Sequence, residues 1–254
     1  MMMSSGVSAP ADENRTAIRK AYMARLVLRC IIFTCCILLF LSRPGAFSVL
    51  GEGQFFHAFS PLHLLWAVWV AESIEQLLPI SKKAPLGSQK LFRRRFRPVR
   101  EEIDRQALRR YIVSTTRGAC WVVLIWAVML AVIGRLYRRD FIGGAELFLI
   151  SAAFYVCDLI CVLIWCPFRL MVKARCCTTC RIFNWDHLMM FSPMMFLKGF
   201  YARSLLVLSI AVWLVWELCV FLHPERFWED SNEALRCSMC TDKLCTQYCR
   251  KLRR

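Results

Sequence analysis

The sequence predicts an all-α integral membrane protein, a polytopic helical bundle with five or six membrane segments. Three observations predict this class. The chain of 254 residues is 58% hydrophobic, with a mean hydropathy of +0.45, whereas soluble domains are about 45–50% apolar. Its charged residues, 20% of the chain, come in blocks separated by uncharged apolar runs, as in membrane proteins whose charges lie in loops. The net charge of +16 fits loops that face the cytoplasm and anionic lipid headgroups, so we expect lipid partners and no nucleic acid.

The apolar runs define the candidate segments in chain order. They cover residues 26–42, 53–71, 118–134, 147–168, 187–197 and 204–223. A full span needs about 20 residues, so the fifth run, with only 11 residues between charges, is the doubtful one. The segments divide the chain into a basic N-terminal part (1–25), two membrane segments (26–79), a basic loop (80–117), the remaining segments (118–223, with a Cys-rich inner loop at 169–185) and a Cys-rich tail (224–254).

Loop charges predict the orientation of these segments. The first segment follows a basic cluster and ends at Arg43 and Pro44 without a small-residue cleavage site, which favours an uncleaved anchor and a cytoplasmic N-terminus. The loop between Ser81 and Arg117 carries 12 Lys and Arg against three acids. The positive-inside rule therefore places this loop in the cytoplasm as well.

The basic loop is predicted to contain an amphipathic helix that begins at Pro98, because proline suits a first helical position. Apolar residues recur every four positions from Val99 to Tyr111, which gives the helix one apolar stripe. Such a helix lies on a membrane surface, and the arginines before it bind anionic headgroups. The alternative is a solvated connector. The candidate lipid-binding residues are Arg93, Arg94, Arg95 and Arg97.

The fifth run determines on which side of the membrane the C-terminal tail lies. If residues 187–197 cross or re-enter the bilayer, the tail and its seven Lys and Arg stay in the cytoplasm. If this run lies on the surface, the sixth segment exports the tail. Because the first arrangement keeps more basic residues inside, the charge rule favours six segments with both termini cytoplasmic. We expect a multi-pass protein of the cell membrane.

The fifteen cysteines form two classes. Eight lie in or at the ends of apolar segments, where a thiol packs as a small hydrophobe. The other seven form two groups, and each group contains a C-x-x-C pair, which lets two thiolates bind one metal ion. The candidate metal ligands are Cys176, Cys177, Cys180, Cys237, Cys240, Cys245 and Cys249, with Cys161 and Cys166 as weaker candidates.

The chemistry of the grouped thiols depends on their compartment. In the reducing cytoplasm a tetrathiolate site suits zinc or an iron–sulfur cluster, and the sequence does not separate these two cofactors. Disulfides need an oxidising compartment, so they become the expectation if the tail lies outside. Unliganded thiols are the third interpretation.

Two acidic residues fall inside predicted membrane segments. Asp158 lies near the middle of the bilayer and Glu217 nearer its outer side. Ionisable residues at such positions are costly and are functional candidates by default. Both are therefore candidates for a proton or ion relay. The alternatives for Asp158 are an ion pair with a cation and a protonated side chain that hydrogen-bonds a neighbouring helix.

The stretch from Trp165 to Arg169, "WCPFR", resembles the Cys-Pro-Phe elements at helix ends in membrane-bound polyferredoxin-type electron-transfer proteins. The resemblance covers this short stretch only. It implies an iron–sulfur cluster near the inner interface and a redox protein partner. The tail reads C-x2-C-x4-C-x3-C and departs from the ferredoxin run C-x2-C-x2-C-x3-C-P.

The sequence contains no phosphate-binding glycine loop, H-E-x-x-H motif or nucleophile elbow, so it leaves open whether the protein is an enzyme. The predicted function is a membrane protein with a metal–thiolate centre at its cytoplasmic face, in the first place for iron–sulfur electron transfer. The first alternative is a membrane scaffold or assembly factor in which zinc joins the Cys-rich loop to the tail. The second is a small transporter that uses Asp158.

Overall fold

The structure is a computed structural model that describes residues 10–57, 59–79, 91–99, 103–172 and 180–236. These residues form α-helices joined by loops and 3-10 turns, with no strand among them beyond one isolated bridge between Pro98 and Asn232. The helices are α1 (Pro10–Ser42), α2 (Pro61–Leu77), α3 (Arg105–Arg138), α4 (Gly144–Leu163), α5 (Phe168–Val172), α6 (Asp186–Phe191) and α7 (Phe200–Leu222). The all-α prediction is therefore confirmed.

Four helices are long and apolar enough to span a membrane. They comprise residues Ile18–Ser42 of α1 together with the whole of α3, α4 and α7. Their outer faces expose large apolar side chains, such as Leu41 (71% exposed) and Phe221 (81%). Contiguous apolar surface of this kind is expected where lipid replaces water as the solvent. The predicted first, third, fourth and sixth segments fall on these helices.

Helix α2 is the predicted second segment, but it has only 17 residues. It begins where Ser60 adopts an extended conformation and its Oγ accepts from the amide of Leu62, with Pro61 at the first helical position. The ring of His63 in turn accepts from the amide of Ser60, so the first turn is capped from both sides. Trp69 at the middle of α2 is fully buried.

One end of the bundle, which we call the turn end, gathers the connections after α1 and α3. The Oγ of Ser60 donates to the carbonyl of Ala46 at 3.1 Å. A Cβ added to Gly199, just before α7, would come within 2.1 Å of the carbonyl oxygen of Leu50. Only glycine allows the start of α7 to approach the loop after α1 this closely.

The opposite end, which we call the tail end, gathers the N-terminal parts of α1 and α3 with the C-terminal parts of α2, α4 and α7. Leu163 at the end of α4 packs with Tyr22 of α1. Trp216 of α7 packs with Leu91 before α3 and with Leu235 after α7. Residues near both termini therefore lie at one end of the bundle.

The predicted helix start at Pro98 is wrong. Helix α3 begins at Arg105, where the carboxylate of Asp104 accepts from the amides of Gln106 and Ala107, and it continues without a break to Arg138. The predicted amphipathic helix and the third membrane segment are thus one helix. Pro98 instead lies in an extended stretch that pairs with the tail, because the amide of Val99 donates to the carbonyl of Ser231.

The doubtful fifth run lies in a segment that we call the 181–196 segment. It consists of a 3-10 turn (Arg181–Trp185), helix α6 and a second 3-10 turn (Ser192–Phe196). Arg181 at its start donates to Thr116 in the N-terminal half of α3 and to Glu217 near the end of α7, at the tail end. Phe196 at its close lies against Gly134, near the turn end of α3. The segment is largely buried among α3, α4 and α7 and runs from one end of the bundle to the other.

Candidate functional site

An arginine pairs with two carboxylates inside the bundle. The guanidinium of Arg29 in α1 donates to Asp158 of α4 at 2.8 Å and to Glu72 of α2 at 3.3 Å. The three side chains are 9%, 16% and 27% exposed. Three helices are therefore joined by one buried cation, which is shared between two carboxylates.

Tyr155 completes this ion network on the side of α4. Its backbone carbonyl accepts from Arg29 at 2.8 Å, and its ring lies under the guanidinium at 3.8 Å from the ring centroid. Its hydroxyl donates to the second oxygen of Glu72 at 3.0 Å. The fixed fork of an arginine can serve three such acceptors and an aromatic face together, which a lysine cannot.

A second polar cluster joins α2 to α6. The amide of Gln76 donates to both carboxylate oxygens of Asp186 at 2.7 and 2.9 Å. The carboxylate of Asp186 also contacts the Nδ1 of His187 at 3.0 Å. The Nε2 of His187 is buried and has no hydrogen-bond partner in the described part of the chain.

A third cluster fixes the start of the 181–196 segment against α7. The guanidinium of Arg181 forms a two-point ion pair with the carboxylate of Glu217. It also donates to the hydroxyl of Thr116 at 3.0 Å, and Trp185 donates its indole N–H to Glu217 at 2.7 Å. Glu217 is thus satisfied by three N–H groups from one segment.

Both relay candidates therefore lie in ion pairs. Asp158 contacts Arg29 and Glu217 contacts Arg181, and the two pairs are in different clusters. Of the alternatives for Asp158, the structure contains the ion pair with a cation. Glu217 lies near the tail end, beside Trp216, rather than at the opposite end of α7.

Four thiols line one cavity at the tail end, about 210 Å³ in volume. The two weaker metal candidates, Cys161 and Cys166, are among them, and their side chains hydrogen-bond to each other. Cys157 and Cys180 line the same cavity. Helix α4 ends at Leu163, so the chain turns between Cys161 and Cys166 and brings the two thiols together.

Of the seven grouped cysteines that the sequence predicts as metal ligands, the structure describes one. Cys180 is buried beside Ala119 and Val122 of α3. Cys176, Cys177, Cys237, Cys240, Cys245 and Cys249 lie outside the described residues. Within the described ranges, no group of three or more His, Cys, Asp or Glu side chains is arranged to hold a metal ion.

The described residues next to those cysteines converge on Tyr111 of α3. Its hydroxyl donates to the carbonyl of Phe227 at 2.9 Å, and its ring stacks on Trp228. Cys180 and Arg181 lie close enough to Tyr111 to interact with it electrostatically. The chain leading into the Cys-rich tail and the chain leaving the Cys-rich loop thus lie at the same part of α3.

The candidate lipid-binding arginines lie at the tail end. Arg93, Arg94 and Arg97 are exposed and Arg95 is half-buried. The stretch is held by its apolar residues, because Leu91 is buried in the bundle and Phe92 packs edge-on against Trp216 at 5.4 Å. The amide of Glu233 donates to the carbonyl of Arg97. Phe92 therefore packs on the protein.

The residues that sequence reasoning missed are the partners of the acids. By sequence alone, Arg29 belongs to the basic N-terminal flank and Arg181 to the loop charge around the cysteines. Glu72 lies close to a predicted inner interface, where solvation of an acid is easy. The available signal was charge balance, because an acid inside a bilayer needs a cation and Arg29 lies within the apolar stretch of α1.

Comparison of the chain with protein-family models, curated proteins and solved structures found no match. The resemblance of the "WCPFR" element to polyferredoxin-type proteins therefore stays a prediction.

Proposed function

We propose that the chain is a cell-membrane protein of six crossings, with both termini in the cytoplasm and a metal–thiolate centre at the cytoplasmic face. The 181–196 segment supplies the fifth crossing. Ten of its sixteen residues are in 3-10 turns, which rise about 2.0 Å per residue against 1.5 Å in an α-helix, so its length is roughly 29 Å. The hydrocarbon core is about 30 Å thick. Helix α2, with the loop before it, supplies the second crossing.

The observation that carries the metal centre is the convergence on Tyr111. Cys180 closes the first cysteine group, and Phe227 and Trp228 precede the second by about ten residues. Because the chain on either side is held beside Tyr111, Cys176, Cys177 and Cys180 can meet Cys237 and Cys240 in one site. Both groups then lie in the reducing cytoplasm, where thiolates bind metal rather than form disulfides.

Zinc is the metal that this arrangement favours, and its role is structural. The stretch 91–99 and the tail are already joined by backbone hydrogen bonds and by the cluster around Trp216. We call these two joined segments, 91–99 and the tail, the cap. A tetrathiolate zinc site ties the loop after α5 to the tail and so stabilises the cap, as structural zinc sites do. The protein then acts as a membrane scaffold or assembly factor. Arg93, Arg94 and Arg97 contact anionic headgroups beside the cap.

Iron–sulfur electron transfer is the second candidate. The observation that favours it is the position of Cys166 and Pro167, which line the same cavity as Cys180. A cluster there would lie at the inner boundary, accessible to a redox protein partner. A transporter that uses Asp158 has less support, because Arg29 already neutralises this acid.

Metal analysis of the purified full-length protein tests the proposal. We expect colourless protein with one equivalent of zinc, lost in the C237S/C240S variant. C120S is the matched control, because Cys120 is exposed on α3, and it should retain full zinc. Brown protein that contains iron and sulfide supports the electron-transfer candidate. Protein without metal, or zinc retained in C237S/C240S, contradicts the proposed centre.

A further inference from the structure

The cavity at the tail end is rich in sulfur. Fifteen of the described residues line it, and six of these carry sulfur: Cys157, Cys161, Cys166, Cys180, Met189 and Met190. Most of the others are apolar or aromatic, such as Phe154, Phe168 and Ile182. Among the described lining residues, the charged side chains are two carboxylates, of which Asp158 is bound to Arg29 and Asp186 to Gln76. The groups available to a ligand in the cavity are therefore mainly thiols and thioethers.

Two of the thiols form a preorganised pair. Cys161 lies in the last turn of α4 and Cys166 in the turn before α5, and their side chains already hydrogen-bond. The pair is fixed on one side by the packing of Leu163 against α1. On the other side, α5 is fixed by its approach to Gly118. Two sulfur ligands that already hydrogen-bond to each other and line one cavity need little rearrangement to bind one ion.

We propose that the Cys161–Cys166 pair binds a soft monovalent cation, Cu(I) or Ag(I), in this cavity. Thiolate and thioether sulfur select Cu(I) over harder ions. The number of ligands also fits Cu(I), for which two thiolates suffice. Zinc takes four ligands, and no group of three or more ligating His, Cys, Asp or Glu side chains is present within the described residues. Met189 and Met190 supply further soft contacts. Binding releases the thiol protons to solvent and changes no oxidation state.

The inference uses the described residues only. Cys180 lines this cavity and is also a candidate ligand of the loop-and-tail centre, but the two ligands proposed here, Cys161 and Cys166, are not among those of the zinc site. Zinc bound to Cys237 and Cys240 would be a different ion in a different site. The two claims can therefore fail separately, and zinc and copper must be measured on the same samples.

Anaerobic titration of the zinc-loaded protein with Cu(I), against a chromophoric Cu(I) chelator, tests the inference. We expect the wild type to bind one more equivalent of Cu(I) than C161S/C166S, with the same zinc content in both. The control is C35S/C120S, which removes two exposed thiols outside the cavity and should bind as the wild type. Equal Cu(I) stoichiometry and affinity in the wild type and C161S/C166S would overturn the inference.

A second measurement needs no variant and covers the case in which C161S/C166S does not fold. The wild-type protein is treated with N-ethylmaleimide with and without one equivalent of Ag(I), and modified cysteines are located by mass spectrometry. Bound Ag(I) should reduce alkylation of Cys161 and Cys166 by at least about tenfold, while Cys120 stays equally reactive. Unchanged labelling of the pair contradicts the site.

Discussion

Arg29 shows how one side chain connects the helices of this bundle. Its side chain is 9% exposed and contacts Glu72, Asp158 and Tyr155, which belong to two other helices. In hydrocarbon no water competes for these groups, so the unpaired state of each charge is expensive. The contacts therefore act chiefly by penalising any packing in which Arg29 is separated from its acids.

The charge count in this network predicts an order of mutational effects. Arg29→Met leaves both Glu72 and Asp158 without a cation, so we expect a loss of about 3–5 kcal/mol in the free energy of unfolding. Asp158→Asn leaves Arg29 paired with Glu72 and should cost less, about 1–3 kcal/mol. Equilibrium unfolding in detergent measures both.

Arg25→Met is the matched control, since Arg25 lies one helical turn before Arg29 and is only half-buried. It should change the unfolding free energy by less than about 1 kcal/mol. A loss for Asp158→Asn that equals or exceeds that for Arg29→Met would contradict the role given to Arg29.

At this scale the sequence was informative about acids and not about their partners. Asp158 was identifiable because a carboxylate within an apolar run has few explanations. Arg29 was not, because an arginine near the start of an apolar run equally fits the charge rule for loops. Which interpretation holds depends on where α4 and α2 pack, and a single sequence does not contain that distance.

Among the elements, α5 shows how close packing positions the Cys-rich loop. A Cβ added to Gly118 of α3 would lie 2.7 Å from the carbonyl oxygen of Met171 and 2.9 Å from the Cα of Val172. Both obstacles are backbone atoms, which cannot rotate away. Gly118 therefore fixes α5 against α3, immediately before the chain that leads to Cys180.

Gly118→Ala is expected to destabilise the protein by about 1–2 kcal/mol, because overpacking against backbone outweighs the gain of up to about 1 kcal/mol from replacing glycine in a helix. Thermal unfolding in detergent measures the effect, and zinc content should fall if α5 is displaced.

The control for this substitution is Gly134→Ala on the same helix, which has the same gain in helix propensity. Its obstacle is the tip of the Phe196 ring, at 2.5 Å, and a side-chain ring can tilt. We expect a smaller loss, and an equal or larger loss at Gly134 would show that the contact between α3 and α5 is loose.

Sequence patterns predicted four of the membrane helices because each has a long apolar run with few charged residues. They missed the continuity of α3, since the Thr115–Arg117 stretch resembles a loop border although the helix passes through it. They marked the run at 187–197 as doubtful, because its apolar length was converted to distance at the rise of an α-helix, and they did not predict the 3-10 turns of the 181–196 segment. Repeated 3-10 turns lengthen the segment, and they depend on packing against α3, α4 and α7 that hydropathy does not encode.

For the whole molecule, the end of the bundle at which the tail lies determines the chemistry open to its cysteines. Tyr22 of α1 and Trp216 of α7 both pack at the tail end, where Tyr111 contacts the start of the tail. An even number of crossings follows if α2 and the 181–196 segment both traverse the bilayer. The compartment of the tail, and with it the choice between metal and disulfide, depends on that number.

Epitope tags test the count directly in intact cells. A tag inserted after Asp140, in the turn between α3 and α4 where Phe141 is 72% exposed, should bind antibody added outside. Tags at the N- and C-termini should become accessible only after permeabilisation, because six crossings return the tail to the cytoplasm. The N-terminal tag controls for leakage, and thiol labelling by an impermeant maleimide should leave Cys245 and Cys249 unmodified. Antibody binding to the C-terminal tag of intact cells would mean five crossings, place the tail cysteines in an oxidising compartment, and exclude a metal site shared with Cys180.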